Sequence, residues 1–213
     1  MQCLRIKFSR GEDIKYISHL SLMRLWERAL RRGGIPLAYS EGFTPHPKLS
    51  LGAPLPIGVT SEAELMDLVL HKPLSPYSFI CNMDSQLPKG VDILGVQQMP
   101  LGIPSLQSQI RYAEYRVEIM AVKNLEEMQA EIVGLLRTER LPWQHMRDTG
   151  LRYYDLRALI EHLWIVGWQG SIFILGMRLR CDSQGSGRPE QVTQALGLTE
   201  YPEAIHRTRL LLA

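Results

Sequence analysis

Five prolines between Ile35 and Pro56 restrict the fold more strongly than any other feature of the sequence: Pro36, Pro45, Pro47, Pro54 and Pro56. Proline lacks a main-chain N–H and clashes with the preceding helical turn, so this spacing excludes an α-helix. Within sheets, proline is confined to strand ends, edges and bulges. We therefore expect an extended connection with one short strand over residues 48–52.

The sequence before this segment predicts a strand followed by a helix. Leu4, Ile6 and Phe8 alternate with polar neighbours, the period of a half-buried strand. Apolar residues then recur with helical period up to residue 32. Ser18 can cap this helix, and the glycines at 33–34 tolerate the left-handed stop that commonly ends one.

Three further elements complete the N-terminal half. Residues 61–70 suit a helix by propensity, but alternation and the boundary at Pro73 favour a strand. Pro76 sits near the start of a helix expected over 75–86, and residues 91–97 have the composition of a strand. The resulting order, β-α-β-β-α-β, is that of the ferredoxin-like arrangement.

The C-terminal half repeats this order less clearly. We expect strands at 113–122, 141–147 and 153–160, a helix at 125–136, a hairpin over 164–180 and a helix at 189–196. We thus predict an α+β protein of two ferredoxin-like halves with antiparallel sheets. The domains are expected at 1–99 and 111–213, joined by a linker over 100–110, where prolines and glycine interrupt the pattern.

Composition excludes several classes of protein. Apolar residues make up 45% and charged residues 22%, which excludes a disordered chain. No apolar run reaches the roughly eighteen residues of a membrane span, so we expect a cytoplasmic protein without a membrane partner. The three cysteines are widely separated, and we expect no structural metal and no cofactor. Sequence motifs for nucleotide hydrolysis, dinucleotide binding, zinc proteolysis and serine hydrolysis are absent.

Positive charge is concentrated at the front of the chain. Residues 1–50 carry nine Lys/Arg against four Asp/Glu, residues 51–110 carry two against five, and residues 111–213 carry thirteen of each. Basic clustering favours a polyanionic partner, because phosphate contacts release condensed counterions. RNA is therefore a candidate partner.

Four arginines form the strongest candidate binding surface. At 100° per residue they share one helix face, opposite the apolar face that contains Trp26: Arg24, Arg28, Arg31 and Arg32. A guanidinium offers a planar fork of donors to phosphate oxygens. The alternative is a solvated face in which Glu27 pairs with Arg31.

The segment from Gly42 to Lys48 is the second candidate. Prolines on both sides restrict the backbone of His46 and present its imidazole rigidly, which suits recognition or general acid–base chemistry with His19. The alternative is that His46 hydrogen-bonds a loop carbonyl. Tyr39 and Phe43 either stack on bases or anchor the loop.

Several motifs along the chain carry a family resemblance. They are YISHL (16–20), MRLWERALRR (23–32), IPLAYSEGF (35–43), PHPK (45–48), PLPIGV (54–59) and SEAE (61–64), with weaker matches at YDLRALI (154–160) and GRPEQV (187–192). The chain resembles the radical SAM-linked protein family, a domain of unknown function found beside or fused to radical SAM enzymes. It departs from the family pattern at Ser21, where an acidic residue is usual, and at Thr44, where asparagine is usual.

The resemblance implies a radical SAM enzyme as partner and a role in RNA modification or processing. Our leading hypothesis is a non-catalytic RNA-binding accessory protein. In it the four arginines and Lys48 hold phosphates, while Tyr39, Phe43 and His46 contact bases or the partner. One alternative is a metal-independent RNA-processing enzyme that uses His46, assisted by His19 or Lys48. The other is a protein–protein adaptor whose arginines dock an acidic surface. We expect Trp143, Trp164 and Trp168 to pack internally, with a partner surface as the alternative.

Overall fold

A computed structural model describes residues 1–121, 123–147 and 150–213, and in it the chain forms a mixed α+β fold. The chain divides into two compact units, Met1–Ile110 together with Ala213, and Arg111–Leu212. Val122, the last residue of the strand expected over 113–122, lies outside the described residues. None of the helices in the described ranges is long and apolar enough to cross a membrane.

The elements of the N-terminal unit follow the expected order. They are β1 (Gln2–Arg10), α1 (His19–Arg32), β2 (Leu49–Leu51), β3 (Thr60–Leu70), α2 (Pro76–Met83), β4 (Ile93–Met99) and the short α3 (Leu106–Gln109). β1 pairs antiparallel with β3 and with β4, and β2 pairs antiparallel with β3, so the strand order is β2-β3-β1-β4. The strand interpretation of residues 61–70 is confirmed.

Local sequence explains the position of α1. The Ser18 side chain accepts a hydrogen bond from the Ser21 N–H and caps the helix, and Gly34, just beyond its end, has a φ of 63°. The apolar face is buried, and Trp26 meets Phe8 of β1 edge to face with ring centroids 5.0 Å apart. This packing fixes which face of α1 points outward.

The segment expected as a linker is partly structured. Ser105 accepts a hydrogen bond from the Ser108 N–H and starts α3, whose Leu106 is buried. Strand β5 begins at Ile110. The sequence does not predict this short helix, because four residues are too few to show a helical period. The prolines and glycine at 100–104 indicate a linker instead.

Among its described residues, the C-terminal unit has nine further α-helices and strands. They are β5 (Ile110–Met120), α4 (Leu125–Arg137), β6 (Pro142–Arg147), β7 (Gly150–Asp155), β8 (Ile160–Gln169), β9 (Ile172–Asp182), β10 (Gly185–Ser186), α5 (Pro189–Ala195) and β11 (Ala204–Leu212). The order of its main strands is β8-β9-β5-β11, whereas β6 and β7 form a separate two-stranded sheet. The expected hairpin over 164–180 is formed by β8 and β9, which are joined by a turn that contains Gly170 at a φ of 59°.

The strand expected over 153–160 is divided between two sheets. The Asp155 carboxylate accepts hydrogen bonds from the Leu141 N–H at 2.8 Å and the Arg157 N–H at 3.0 Å. A short 3-10 turn over Arg157–Leu159 then separates β7 from β8. This break depends on a contact between residues fourteen positions apart, which strand periodicity does not reveal.

Candidate functional site

An open groove of about 560 Å³ runs along the outward face of α1. The helix forms one wall and the chain that follows α2 forms the other. Its lining residues are Ser21, Arg24, Leu25, Arg28, Arg32, Gln86, Leu87 and Pro88. Three arginines at intervals of four residues therefore follow one side of the groove, since residues four apart lie one above the other on a helix.

The groove has positive charge without a counter-charge. None of its lining residues is acidic. Among the residues that the structure describes, neither Arg24 nor Arg28 makes a side-chain hydrogen bond or ion pair. Like charges at this spacing repel by a few tenths of a kcal/mol, and a bound anion relieves that repulsion. The groove is thus electrostatically suited to an anion.

Arg32 differs from the other arginines because it is anchored. Its Nη2 donates to the main-chain carbonyl of Gln86 at 2.6 Å, and its Nε donates to Gln86 Oε1 at 3.3 Å. The guanidinium therefore joins the two walls at one end of the groove.

Arg31 is exposed but does not line the groove. The Glu27–Arg31 ion pair, which the solvated-face interpretation requires, is not formed between these two described residues. The structure thus separates the predicted arginine stripe into three residues at the groove and one outside it.

The predicted His46 segment forms a closed loop elsewhere on the N-terminal unit. The Ser40 N–H donates to the His46 carbonyl at 2.9 Å, and the His46 N–H donates to Ser40 Oγ at 3.0 Å. Gly42, with a φ of 123°, allows the chain to reverse, and Phe43 is fully exposed beside it. Tyr39 pairs with Pro47 at the base of the loop.

This loop contributes nothing to the lining of the groove. The lining residues of the groove do not include Tyr39, Phe43, His46 or the exposed Lys48. No hydrogen bond joins the His46 and His19 rings in the described parts of the chain. Hydrogen bonds from the backbone, not from the imidazole, close the loop, so the His46 ring remains exposed for contacts with other molecules.

Arg10 has a structural role that the sequence patterns above do not predict. Its side chain is buried, and its guanidinium donates to the carbonyls of Lys15 and Ile17, both at 2.7 Å, and of Leu55 at 3.2 Å. It therefore holds together the chain before α1 and the proline-rich segment. One signal was present, because Arg10 lies in phase with the buried residues Ile6 and Phe8 of β1.

The described residues contain no group of three or more His, Cys, Asp or Glu side chains that could hold a metal ion. The charged groups that line the groove are the guanidinium groups of its arginines. These bind phosphate or carboxylate oxygens through paired N–H donors.

Comparison with known proteins gives a family but no activity. The model of a family described as uncharacterized protein conserved in bacteria (DUF2344) matches residues 3–189. That range includes α1, the groove and the His46 loop. No curated protein matches the chain.

Several solved structures share the fold. A chain in a Cbf5-Nop10-Gar1 complex has a TM-score of 0.50 and 11% identity, covering 97% of this chain and 48% of that one. A chain in the archaeal box H/ACA sRNP Nop10-Cbf5 complex gives 0.50 and 11%, covering 98% and 48%. A chain in an H/ACA RNP bound to a substrate RNA containing 2'-deoxyuridine gives 0.50 and 10%, covering 97% and 47%. At this identity the similarity shows the fold alone, and the match spans about half the length of those chains.

Proposed function

Because the chain belongs to the DUF2344 family of uncharacterized bacterial proteins, whose description assigns no activity, we propose a function from its own geometry: it binds RNA through the groove on α1. One observation carries the proposal. Arg24 and Arg28 line a groove without acidic residues, and neither makes a hydrogen bond or ion pair within the described chain. Phosphate groups supply the opposite charge at regular spacing along a strand.

The geometry supports different roles for the arginines. Arg24 and Arg28 contact phosphates directly in this proposal, because their guanidinium donors are unused. Arg32 shapes the end of the groove through Gln86 and adds its charge there. Lys48, Tyr39, Phe43 and His46 stay proposed contacts outside the groove, whereas this proposal gives Arg31, which does not line the groove, no phosphate contact.

The structural neighbours add support of a coarser kind. The names of the matched complexes describe RNA–protein particles, one of them bound to a substrate RNA. A shared fold does not imply a shared activity, because function depends on the residues of the site. The neighbours therefore favour an RNA-associated role and leave the binding surface to be argued from this chain's own residues.

We also propose a ferredoxin-like assignment for both units. In each unit two helices alternate with four main strands, in the orders β2-β3-β1-β4 and β8-β9-β5-β11. In both units the second, third, first and fourth main strands along the chain follow one another across the sheet. This support is topological, and the short β6–β7 sheet is an insertion into the second unit in this interpretation.

The non-catalytic accessory role with a radical SAM enzyme is a further proposal. It rests on the sequence resemblance given above. Neither the family description nor the names of the structural neighbours mention such an enzyme. The groove is compatible with it, because an RNA-presenting subunit needs phosphate contacts and no catalytic group of its own.

Crosslinking in living cells tests the proposal and its competitor together. The tagged full chain is irradiated with ultraviolet light and purified under denaturing conditions, and its crosslinked peptides are mapped. We expect RNA joined to peptides from α1 or residues 86–88. A protein partner that co-purifies natively after nuclease treatment, without any crosslinked RNA, would replace RNA binding by the adaptor function.

A further inference from the structure

The β6–β7 hairpin of the C-terminal unit has one anchored face and one open face. Antiparallel pairing places Gln144 opposite Tyr153 and Met146 opposite Leu151. Residues that face each other across such a pair lie on the same side of the sheet. These four side chains therefore share one face, and all four are exposed.

The opposite face is held by the rest of the unit. Tyr154, the next residue along β7, donates a hydrogen bond from its hydroxyl to Gln191 Oε1 of α5 at 2.6 Å. Trp143, which pairs with Tyr154, is half-buried. This hydrogen bond anchors the opposite face to α5 and leaves the face that carries Tyr153 open.

A groove lies at the base of the hairpin and is lined mostly by residues of the open face. Its volume is about 490 Å³, and it is lined by Pro142, Trp143, Gln144 and Tyr153. Small-ligand sites typically fall between about 300 and 1,000 Å³. The Tyr153 side chain is 73% exposed, so its ring is available for stacking. Gln144 adds amide donors and acceptors beside that ring.

The segment that contains the hairpin carries a net positive charge. Residues 137–157 contain five arginines and three acidic residues. Three exposed arginines have no side-chain partner among the described residues: Arg137, Arg140 and Arg152. The Asp155 carboxylate is already engaged by the main-chain N–H groups of Leu141 and Arg157. This excess of free guanidinium groups is complementary to phosphate.

We propose that the open face of the β6–β7 hairpin binds single-stranded RNA, with a base stacked on Tyr153 beside Gln144 and with Arg140 near the phosphates. An aromatic platform combined with basic residues is the usual way in which proteins hold unpaired nucleotides. The site rests on the proposed function only in taking RNA as the ligand. It uses residues of the C-terminal unit, whereas the α1 groove uses residues of the N-terminal unit.

Fluorescence anisotropy with the full chain tests this site. The probes are a fluorescein-labelled 20-nucleotide uridine homopolymer and an RNA duplex of equal length. We expect Tyr153→Ala to weaken homopolymer binding about tenfold, because each stacked base contributes a factor of this order. Tyr153→Phe keeps the ring and should stay within twofold of the wild type. Duplex affinity should not change, since paired bases are already stacked.

A matched control removes an equally exposed ring elsewhere. Tyr77, on α2, is 78% exposed, and Tyr77→Ala should bind the homopolymer as the wild type does. Circular dichroism checks that each variant is folded. A 4-thiouridine homopolymer crosslinked to the wild type should label the peptide that contains Trp143 or Tyr153, a readout that does not depend on any substitution.

The outcomes distinguish this site from the α1 groove. If Arg24→Gln/Arg28→Gln binds as the wild type while Tyr153→Ala is impaired, the hairpin site stands and the α1 proposal fails. If Tyr153→Ala binds the homopolymer as the wild type, the hairpin site is overturned whatever the α1 variant does. The same conclusion follows if Tyr153→Ala loses a protein partner from nuclease-treated lysate and keeps its RNA affinity.

Discussion

The Arg32 guanidinium joins α1 to the chain after α2 by donating to the main-chain carbonyl of Gln86 at 2.6 Å. The two residues are 54 positions apart in the sequence. Their contact closes one end of the groove that Arg24 and Arg28 line. The groove therefore depends on a tertiary contact as well as on the arginine spacing of a single helix.

The Arg32→Lys variant keeps the positive charge at the end of the groove and removes the paired hydrogen bonds to Gln86. Lysine keeps the positive charge, but its single ammonium cannot reproduce the fork that engages both oxygens of Gln86. We expect RNA affinity to fall about fivefold, equivalent to about 1 kcal/mol for the lost hydrogen bonds, with an unchanged salt dependence. Titrations at several salt concentrations measure both quantities, and Arg31→Lys is the control. Wild-type affinity for Arg32→Lys would show that Gln86 does not shape the site.

Ser21→Glu should raise stability and lower RNA affinity at once. Ser18 caps α1 and Ser21 is the third residue after it, so the new carboxylate can return a hydrogen bond to the Ser18 N–H and complete a capping box. We expect the free energy of unfolding to rise by about 0.5 kcal/mol. The same carboxylate enters the groove beside Arg24 and should weaken RNA binding several-fold.

Ser21→Gln is the matched control, because it offers the same cap without the charge. Urea denaturation and RNA titration of both variants give the two quantities. Equal RNA affinities for the two variants would contradict an electrostatic role for the groove.

Arg10→Met should destabilise the N-terminal unit strongly. The buried guanidinium satisfies the carbonyls of Lys15, Ile17 and Leu55, and methionine would leave these acceptors without their donor. We expect a loss of about 3 kcal/mol or more in urea denaturation. Arg24→Met, which alters an exposed and unpaired arginine, should stay within about 0.5 kcal/mol of the wild type. A similarly small loss for Arg10→Met would refute the structural role.

Incubation with RNA in EDTA tests the enzymatic alternative based on His46. The accessory role predicts that wild type and His46→Ala both leave the RNA at full length, as judged on a denaturing gel. The exposed His46 ring makes no hydrogen bond to the His19 ring in the described structure. Cleavage by the wild type that disappears in His46→Ala would establish the enzyme instead.

Much of the fold follows from local patterns in the sequence. The period of residues 4–8 predicts β1, and the cap at Ser18 predicts the start of α1. Residues 61–70 form β3 although helix propensity competes, because the strand is paired on both sides, with β1 and β2. These elements are visible because each is long enough to show its hydrophobic period.

The candidate sites are less visible, because their second walls come from distant residues. Four arginines on one helix face are predictable, but the contribution of Gln86, Leu87 and Pro88 to the groove is not. The open face of the β6–β7 hairpin likewise depends on the break at Asp155. The hydrophobic period predicts which side of a helix or strand is buried. It does not predict which other helix or strand lies beside it.

The salt dependence of RNA affinity tests the central claim most directly. Each phosphate contact to single-stranded RNA contributes about 0.7 to the slope of log affinity against log salt. The account predicts that the magnitude of this slope falls by about 1.4 in Arg24→Gln/Arg28→Gln and is unchanged in Arg31→Gln, whose side chain lies outside the groove. A wild-type slope in the double variant, or an equal loss in Arg31→Gln, would contradict RNA binding in the α1 groove.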